Sequence, residues 1–204
     1  MKQWMRVLMW LGAVSISSPA LAGDAALYGA VAPADSGFFR VINTTAGAVT
    51  VTFQGKSFAL NSAECSEYAY VAPGNYTLNI NDKPVALQVK TGGQQTVVWG
   101  DSGSKLLDDQ PFDNKSKSRV ALYNLTSAPV SLLTSKGQAV VGPVAAGQFS
   151  AREVNAIQVS FVVHDSQKAI YTTPQINLKR GRSTELFVST IAGTPQVTRV
   201  ETVR

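Results

Sequence analysis

The sequence predicts an all-β protein built as two tandem antiparallel β-sandwich domains joined by a short linker. Three observations lead there. Larger apolar side chains fall on every second residue in Val49-Thr50-Val51-Thr52-Phe53, Tyr76-Thr77-Leu78-Asn79-Ile80 and Val85-Ala86-Leu87-Gln88-Val89. That period belongs to strands with one buried and one wet face. Turn formers separate these runs at intervals of roughly ten residues, and no stretch keeps a helical period. The same pattern of strands then starts again near Arg119.

Taken in order, residues 1–22 read as an export signal. Lys2 and Arg6 form a positive start, Val7 to Ile16 an apolar run, and Ala20-Leu21-Ala22 the small-x-small form that signal peptidase accepts. Val7 to Ile16 is half of the roughly 20 apolar residues that span a bilayer, so cleavage after Ala22 is expected rather than anchoring. The remaining chain carries 16 basic and 13 acidic residues, a weak bias towards an anionic partner. With 45% hydrophobic and 15% charged residues, the composition excludes a disordered tail and a membrane bundle. Cys65 is the only cysteine in the sequence. It leaves no intramolecular disulfide and no cysteine-based metal site, so the fold must rest on its core. His164 lies far from Cys65 in sequence, which points to packing or surface placement for the thiol rather than catalysis.

Residues 23–99 form the first expected sandwich, with seven short strands between Phe38 and Trp99. Gln54-Gly55, Pro73-Gly74-Asn75, Asn81-Asp82-Lys83-Pro84 and Thr91-Gly92-Gly93 supply its turns. Residues 100–117 are expected as linker, because Gly100 to Pro111 loses the alternation and gathers Gly, Ser, Asp and Pro. Phe112 is expected to plug against one domain. The second sandwich, 118–204, has expected strands at 119–123, 130–133, 139–141, 149–154, 157–163, 175–178 and 184–189. Three pairs of segments suggest duplication: Asn43-Thr44-Thr45 with Asn124-Leu125-Thr126, Gly74-Asn75-Tyr76 with Gly147-Gln148-Phe149, and Val89-Lys90-Thr91-Gly92 with Leu178-Lys179-Arg180-Gly181.

The most tempting chemical signal is Gly100-Asp101-Ser102 directly after Thr96-Val97-Val98-Trp99, which mimics the Gly-Asp-Ser block of SGNH esterases and acetyltransferases. In those enzymes the serine works with a His three residues after an Asp, and with oxyanion donors from other blocks. Here Phe161 precedes His164 at that spacing and Asp165 follows it, so Ser102 is expected in the linker and His164-Asp165-Ser166 in a turn. The sequence has no alternating Asp/Asn calcium loop and no His cluster, and Gly92-Gly93 lacks the Lys and Ser/Thr of a phosphate loop. No catalytic, cofactor or metal residue is therefore expected. Two basic clusters remain: Lys115, Lys117 and Arg119, and Lys179, Arg180 and Arg182. They suit the carboxylates of an acidic polysaccharide, acidic patches of a partner protein, or plain solvated turns that keep strand edges apart. Aromatics do not alternate with these cations, which argues against nucleic acid. Tyr68 and Tyr70 are expected to share a strand face, either as core or as a sugar platform.

Gly23-Asp24-Ala25-Ala26-Leu27-Tyr28-Gly29-Ala30-Val31-Ala32-Pro33, then Phe39-Arg40-Val41-Ile42-Asn43, and later Pro111-Phe112-Asp113-Asn114-Lys115, resemble segments of the AlgF family in order. The resemblance extends through the strand order to nearly the whole chain. It implies a periplasmic, non-catalytic accessory subunit for O-acetylation of an exopolysaccharide, foremost alginate, although similar subunits serve cellulose acetylation. It further implies partners among SGNH-type periplasmic acetyltransferase subunits and a membrane-bound O-acyltransferase. A polysaccharide-binding module of the same machinery is the alternative reading, and an acetyltransferase the third. Cys65 and Gly100-Asp101-Ser102 depart from the family pattern, and neither completes a catalytic set.

Overall fold

The alternation resolves into eighteen strands and no helix among residues 32–166 and 168–203, which the computed structural model describes. The expected signal segment and the family-like residues 23–31 lie outside the described residues. The first half contains β1 (Gly37–Asn43), β2 (Val49–Phe53), β3 (Lys56–Leu60), β4 (Ala69–Val71), β5 (Gly74–Ile80), β6 (Lys83–Val89), β7 (Gln94–Gly100) and β8 (Gly103–Asp109). They form one sheet in the order β4-β1-β7-β8 and a second in the order β3-β2-β5-β6.

The second half contains β9 (Ser118–Asn124), β10 (Val130–Thr134), β11 (Ala139–Val144), β12 (Phe149–Val154), β13 (Gln158–Val159), β14 (Phe161–His164), β15 (Ala169–Thr172), β16 (Ile176–Asn177), β17 (Arg182–Ile191) and β18 (Thr194–Val203). Its sheets run β12-β9-β17-β18 and β11-β10-β14-β15, with β13 and β16 paired separately. Strand by strand this is the order of the first half. β13–β16 extends the β14–β15 hairpin beyond a break, where the first half has the unbroken β5–β6 hairpin. Within the mainly antiparallel sheets the central pairs β1–β7 and β9–β17 run parallel.

The duplication shows in bonding detail. Asn43 Nδ2 donates to Gly47 O and Leu60 O while its Oδ1 accepts from the Thr45 amide and hydroxyl. Asn124 repeats this with Ala128 O, Val144 O and Thr126. Each Asn thus satisfies a loop that would otherwise leave buried carbonyls unpaired. At the opposite strand end Gly92 N–H donates to Ser36 O and Gly181 N–H to Lys117 O, both glycines at positive φ. The expected match of Gly74-Asn75-Tyr76 with Gly147-Gln148-Phe149 is corrected. Asn75 pairs with Gln88 as Gln158 pairs with Asn177, so the counterpart of Gly74-Asn75-Tyr76 is Ile157-Gln158-Val159. Phe149 opens β12, the counterpart of β4. The shared Gly-x-aromatic spelling marks two different strand starts.

The expected linker is also shorter. Gly103–Asp109 pairs with β7 from Gln94↔Asp109 to Gly100↔Gly103, leaving 110–117 as connection. Its sequence hides the strand because an inward position carries the polar Asp109 while Leu106 points outward, 41% exposed. Strands β15 and β18 also lie outside the expected strands; β18 is largely polar, and β15 has only four residues. At the expected turns, Gln54-Gly55 and Asn81-Asp82 take positive φ at both positions, as tight hairpins require.

Two apolar interiors lie between the paired sheets. One is built on Val41, Val51, Leu78, Ile80 and Val97, the other on Val120, Leu122, Leu132, Val163 and Leu186. A third cluster joins the two halves through Ile42, Val98, Leu107, Ala121, Tyr123 and Phe187. The central strands are therefore buried on both faces, as parallel central strands commonly are.

Candidate functional site

On β1, β7, β9 and β17 the residues that point away from each sandwich interior meet across a seam between the halves. Several are charged. Arg40 is 1% exposed and Glu185 0%. Arg40 Nη1 lies 2.5 Å from Glu185 Oε2, off the line of an aligned hydrogen bond, and its Nη2 is 3.8 Å from Asp109. Arg40 Nε donates to Thr96 Oγ1 at 2.8 Å, and the Thr96 hydroxyl donates to Asp109 Oδ2 at 2.6 Å. Tyr68 and Tyr123 hydroxyls donate to the two oxygens of Asp109 at 2.7 and 2.9 Å. Arg119 Nη2 donates to Glu185 Oε1 at 3.0 Å, its Nε to Ser183, and its Nη1 to the carbonyl of Gln110. The Arg40 guanidinium also lies over the Tyr68 and Phe187 rings, 4.4 and 4.9 Å from their centroids.

Two cations and two anions make this seam neutral, the condition under which buried charge is tolerable. Burial, the largest single influence, would lower the Arg40 pKa, but the surrounding groups together, Glu185 foremost and Asp109 among them, outweigh it and hold it above its ordinary value. Burial, reinforced by Asp109 and Glu185, raises the Tyr68 and Tyr123 phenols, which therefore stay protonated as donors. Burial pushes the Cys65 thiol, which packs against the seam cluster opposite Ile42, up to about 12. A thiol held protonated is a poor nucleophile. The chemistry available here is cohesion. Rim contacts add to it: Lys105 Nζ donates to Gly147 O at 2.9 Å and Thr198 Oγ1 to Ala63 O at 2.7 Å.

The residues singled out from sequence divide between this seam and the surface. Arg119, expected in an exposed cluster, is 7% exposed and belongs to the seam, which corrects its role. Phe112 is buried, with the Arg119 guanidinium 5.4 Å from its ring centroid. Lys115, Lys117, Lys179, Arg180 and Arg182 are exposed or half-buried. The parallel register Arg119↔Ser183 sets their two turns side by side, with Gly181 N–H bonded to Lys117 O, so two clusters far apart in sequence make one basic patch. Glu201 pairs with Lys179 and Arg182, and Lys117 Nζ donates to Asn155. Arg40, Asp109 and Glu185 are not among the residues singled out from sequence. A charged residue inside an otherwise apolar strand, as in Phe38-Phe39-Arg40-Val41-Ile42 and Glu185-Leu186-Phe187-Val188, is the signal that could have found two of them.

Tyr68 and Tyr70 do not share a strand face. Tyr68 precedes β4 and sends its hydroxyl to Asp109 in the seam, and both it and Tyr70, 40% exposed, line an open cavity of about 500 Å³ between edge strands β3 and β4 with Phe53, Lys56 and Phe58. Ser102 sits at the β7–β8 turn of the first half. His164 ends β14 in the second, opposite Ser131 and Ala169 in the sheet remote from the seam, and Asp165 Oδ1 caps the next turn at the Lys168 amide. The structure thus places the two in different domains. Among the described residues no group of three or more His, Cys, Asp or Glu is arranged to hold a metal ion.

A duplicated, helix-free pair of β-sandwiches joined through a buried polar seam defines a tandem β-sandwich protein with surface patches available for contact. Residues 11–185 match the family described as Alginate O-acetyl transferase AlgF, and the chain belongs to that family. Alginate biosynthesis protein AlgF of Pseudomonas fluorescens is 33% identical over 177 residues, covering 85% of this chain and 82% of that protein. The Pseudomonas aeruginosa protein of the same name is 28% identical over 195 residues, covering 93% and 89%. Among solved structures, the C-terminal domain of AlgF from P. aeruginosa is similar at 27% identity and a TM-score of 0.41, covering 43% of this chain and 100% of that one. The N-terminal domain of the same protein aligns at 20% identity and a TM-score of 0.35, covering 39% and 100%.

Proposed function

We propose that this chain is a periplasmic, non-catalytic adaptor in the O-acetylation of an exopolysaccharide, alginate foremost. It docks SGNH-type acetyltransferase subunits and works beside a membrane-bound O-acyltransferase. Membership of the AlgF family supports the pathway. The observation that carries the adaptor reading is the basic patch, where β9–β17 pairing gathers Lys115, Lys117, Lys179, Arg180 and Arg182 on one surface of a firmly joined pair of domains. Such a patch suits acidic surfaces of a partner and steers association without reacting.

The test is capture of purified periplasmic acetyltransferase subunits by the mature chain, beside a Lys115→Ala/Lys179→Ala/Arg180→Ala variant. Capture weakened at least tenfold by the variant, and loosened by salt, supports docking at the patch. Capture that ignores both removes the patch from the reading. No capture, together with retention of the chain on immobilised alginate, replaces the adaptor by the second reading, a polysaccharide-binding module. The open cavity beside Phe58 and Tyr70 favours that alternative, since exposed aromatic faces are what sugars stack on.

A further inference from the structure

We infer that the seam is a recognition surface whose charge asymmetry makes the first sandwich pair with the second and bars either from pairing with its own copy. Duplicated domains with the same strand order present closely related faces, and like-with-like association is their characteristic misassembly. The two registers show how this chain differs at equivalent positions. Arg40 lies opposite Thr96 on β1–β7, and Ala121 opposite Glu185 on β9–β17. Arg40 therefore corresponds to Ala121, and Thr96 to Glu185. Ile42 and Val98 correspond in the same way to Tyr123 and Phe187.

At these equivalent positions one face thus carries Arg40 beside Ile42 and Val98, and the other Glu185 beside Tyr123 and Phe187, while Asp109 on the first face and Arg119 on the second give each half one further buried charge of opposite sign. Only the mixed pairing brings Arg40 to Glu185 and the Tyr123 hydroxyl to Asp109. In a pair of first sandwiches each Arg40 would lose Glu185 and keep Asp109 at 3.8 Å, with a second guanidinium entering the same seam. In a pair of second sandwiches each Glu185 would keep Arg119 at 3.0 Å but lose Arg40 from its other oxygen, and the Tyr123 hydroxyl would lose Asp109. Unpaired and like charges in a dry interface reject the wrong partner more strongly than matched ones reward the right one.

The experiment uses the full chain with a specific protease site inserted after Asp113, cut in the folded state and followed by size-exclusion chromatography with light scattering. Wild-type halves are expected to stay together as a one-to-one complex and to form no homodimer of either half. Arg40→Met is expected to weaken their association at least tenfold, and Glu185→Gln, which keeps the side-chain shape, to do the same if Arg40→Met fails to fold. Arg40→Met/Glu185→Met is expected to restore association and let like-with-like species appear. Homodimers from the wild-type halves, separation of those halves, single variants that bind as tightly as wild type, or a double variant that stays strictly one-to-one would each overturn the inference.

Discussion

The sandwich interiors and the seam between them solve the same problem differently. Inside each sandwich the contacts are made mostly by Val, Leu and Ile, with a few aromatics such as Phe39, Trp99 and Phe161, and with Asn43 and Asn124 as the repeated polar knots at the strand ends. In the seam, Tyr123 stacks on Phe149 and Phe187, the Arg40 guanidinium lies over Tyr68 and Phe187, and Arg40, Glu185, Asp109 and Arg119 make the charged contacts. The interiors repeat from one half to the other, whereas the seam residues at equivalent positions differ in charge and size. Apolar interiors specify a sandwich; matched polar groups specify which sandwich meets which.

The comparison can be broken most directly at Arg40. Arg40→Ala leaves Glu185 and Asp109 buried with one cation fewer and should cost about 3–5 kcal/mol, splitting one calorimetric transition into two as the halves uncouple. By contrast, Leu78→Ala and Leu132→Ala, one in each interior, should each cost about 2–5 kcal/mol while the single transition of coupled halves is kept. Asn43→Ala and Asn124→Ala should each lose about 1–3 kcal/mol by chemical denaturation, and similar losses would show that the duplication extends to energetics.

A pH titration sharpens the account of the seam. Cys65 rises from 9.0 to about 12 on folding, so the fold holds a neutral thiol that the unfolded chain ionises. Stability should therefore be unaffected by this group below pH 9 and fall as pH climbs from 9 towards 12, with Tyr68 and Tyr123 acting in the same direction at higher pH. Denaturant midpoints measured across that range should decline less steeply in Cys65→Ala. The smallest effect is expected at the cavity between β3 and β4. Tyr70→Ser should change stability by less than about 0.5 kcal/mol, checked by the same melts, because its ring is exposed.

The strands that follow a simple alternation were legible from the residues. β2, β5 and β6 each face one interior and one solvent layer, and their turns carry Gly, Asn or Pro where the backbone needs them. β8 does not read as a strand because one of its buried positions holds Asp109, whose partners Thr96, Tyr68 and Tyr123 come from other elements. Arg119 was grouped with Lys115 and Lys117 by adjacency, yet one strand step turns it inward to Glu185 while they remain at the turn. The second basic cluster is legible as a run of residues, but its position beside the first depends on the parallel β9–β17 register.

By itself the sequence determined an all-β chain of two related sandwiches, because side-chain period and turn chemistry act over a few residues. Tertiary structure alone decided that the outward faces of the central strands are buried again, that Arg40 meets Glu185 across the two halves, and that two basic turns share one surface. Those outcomes depend on pairings between residues more than 50 positions apart, and a buried charge becomes tolerable only when the fold delivers its counter-charge.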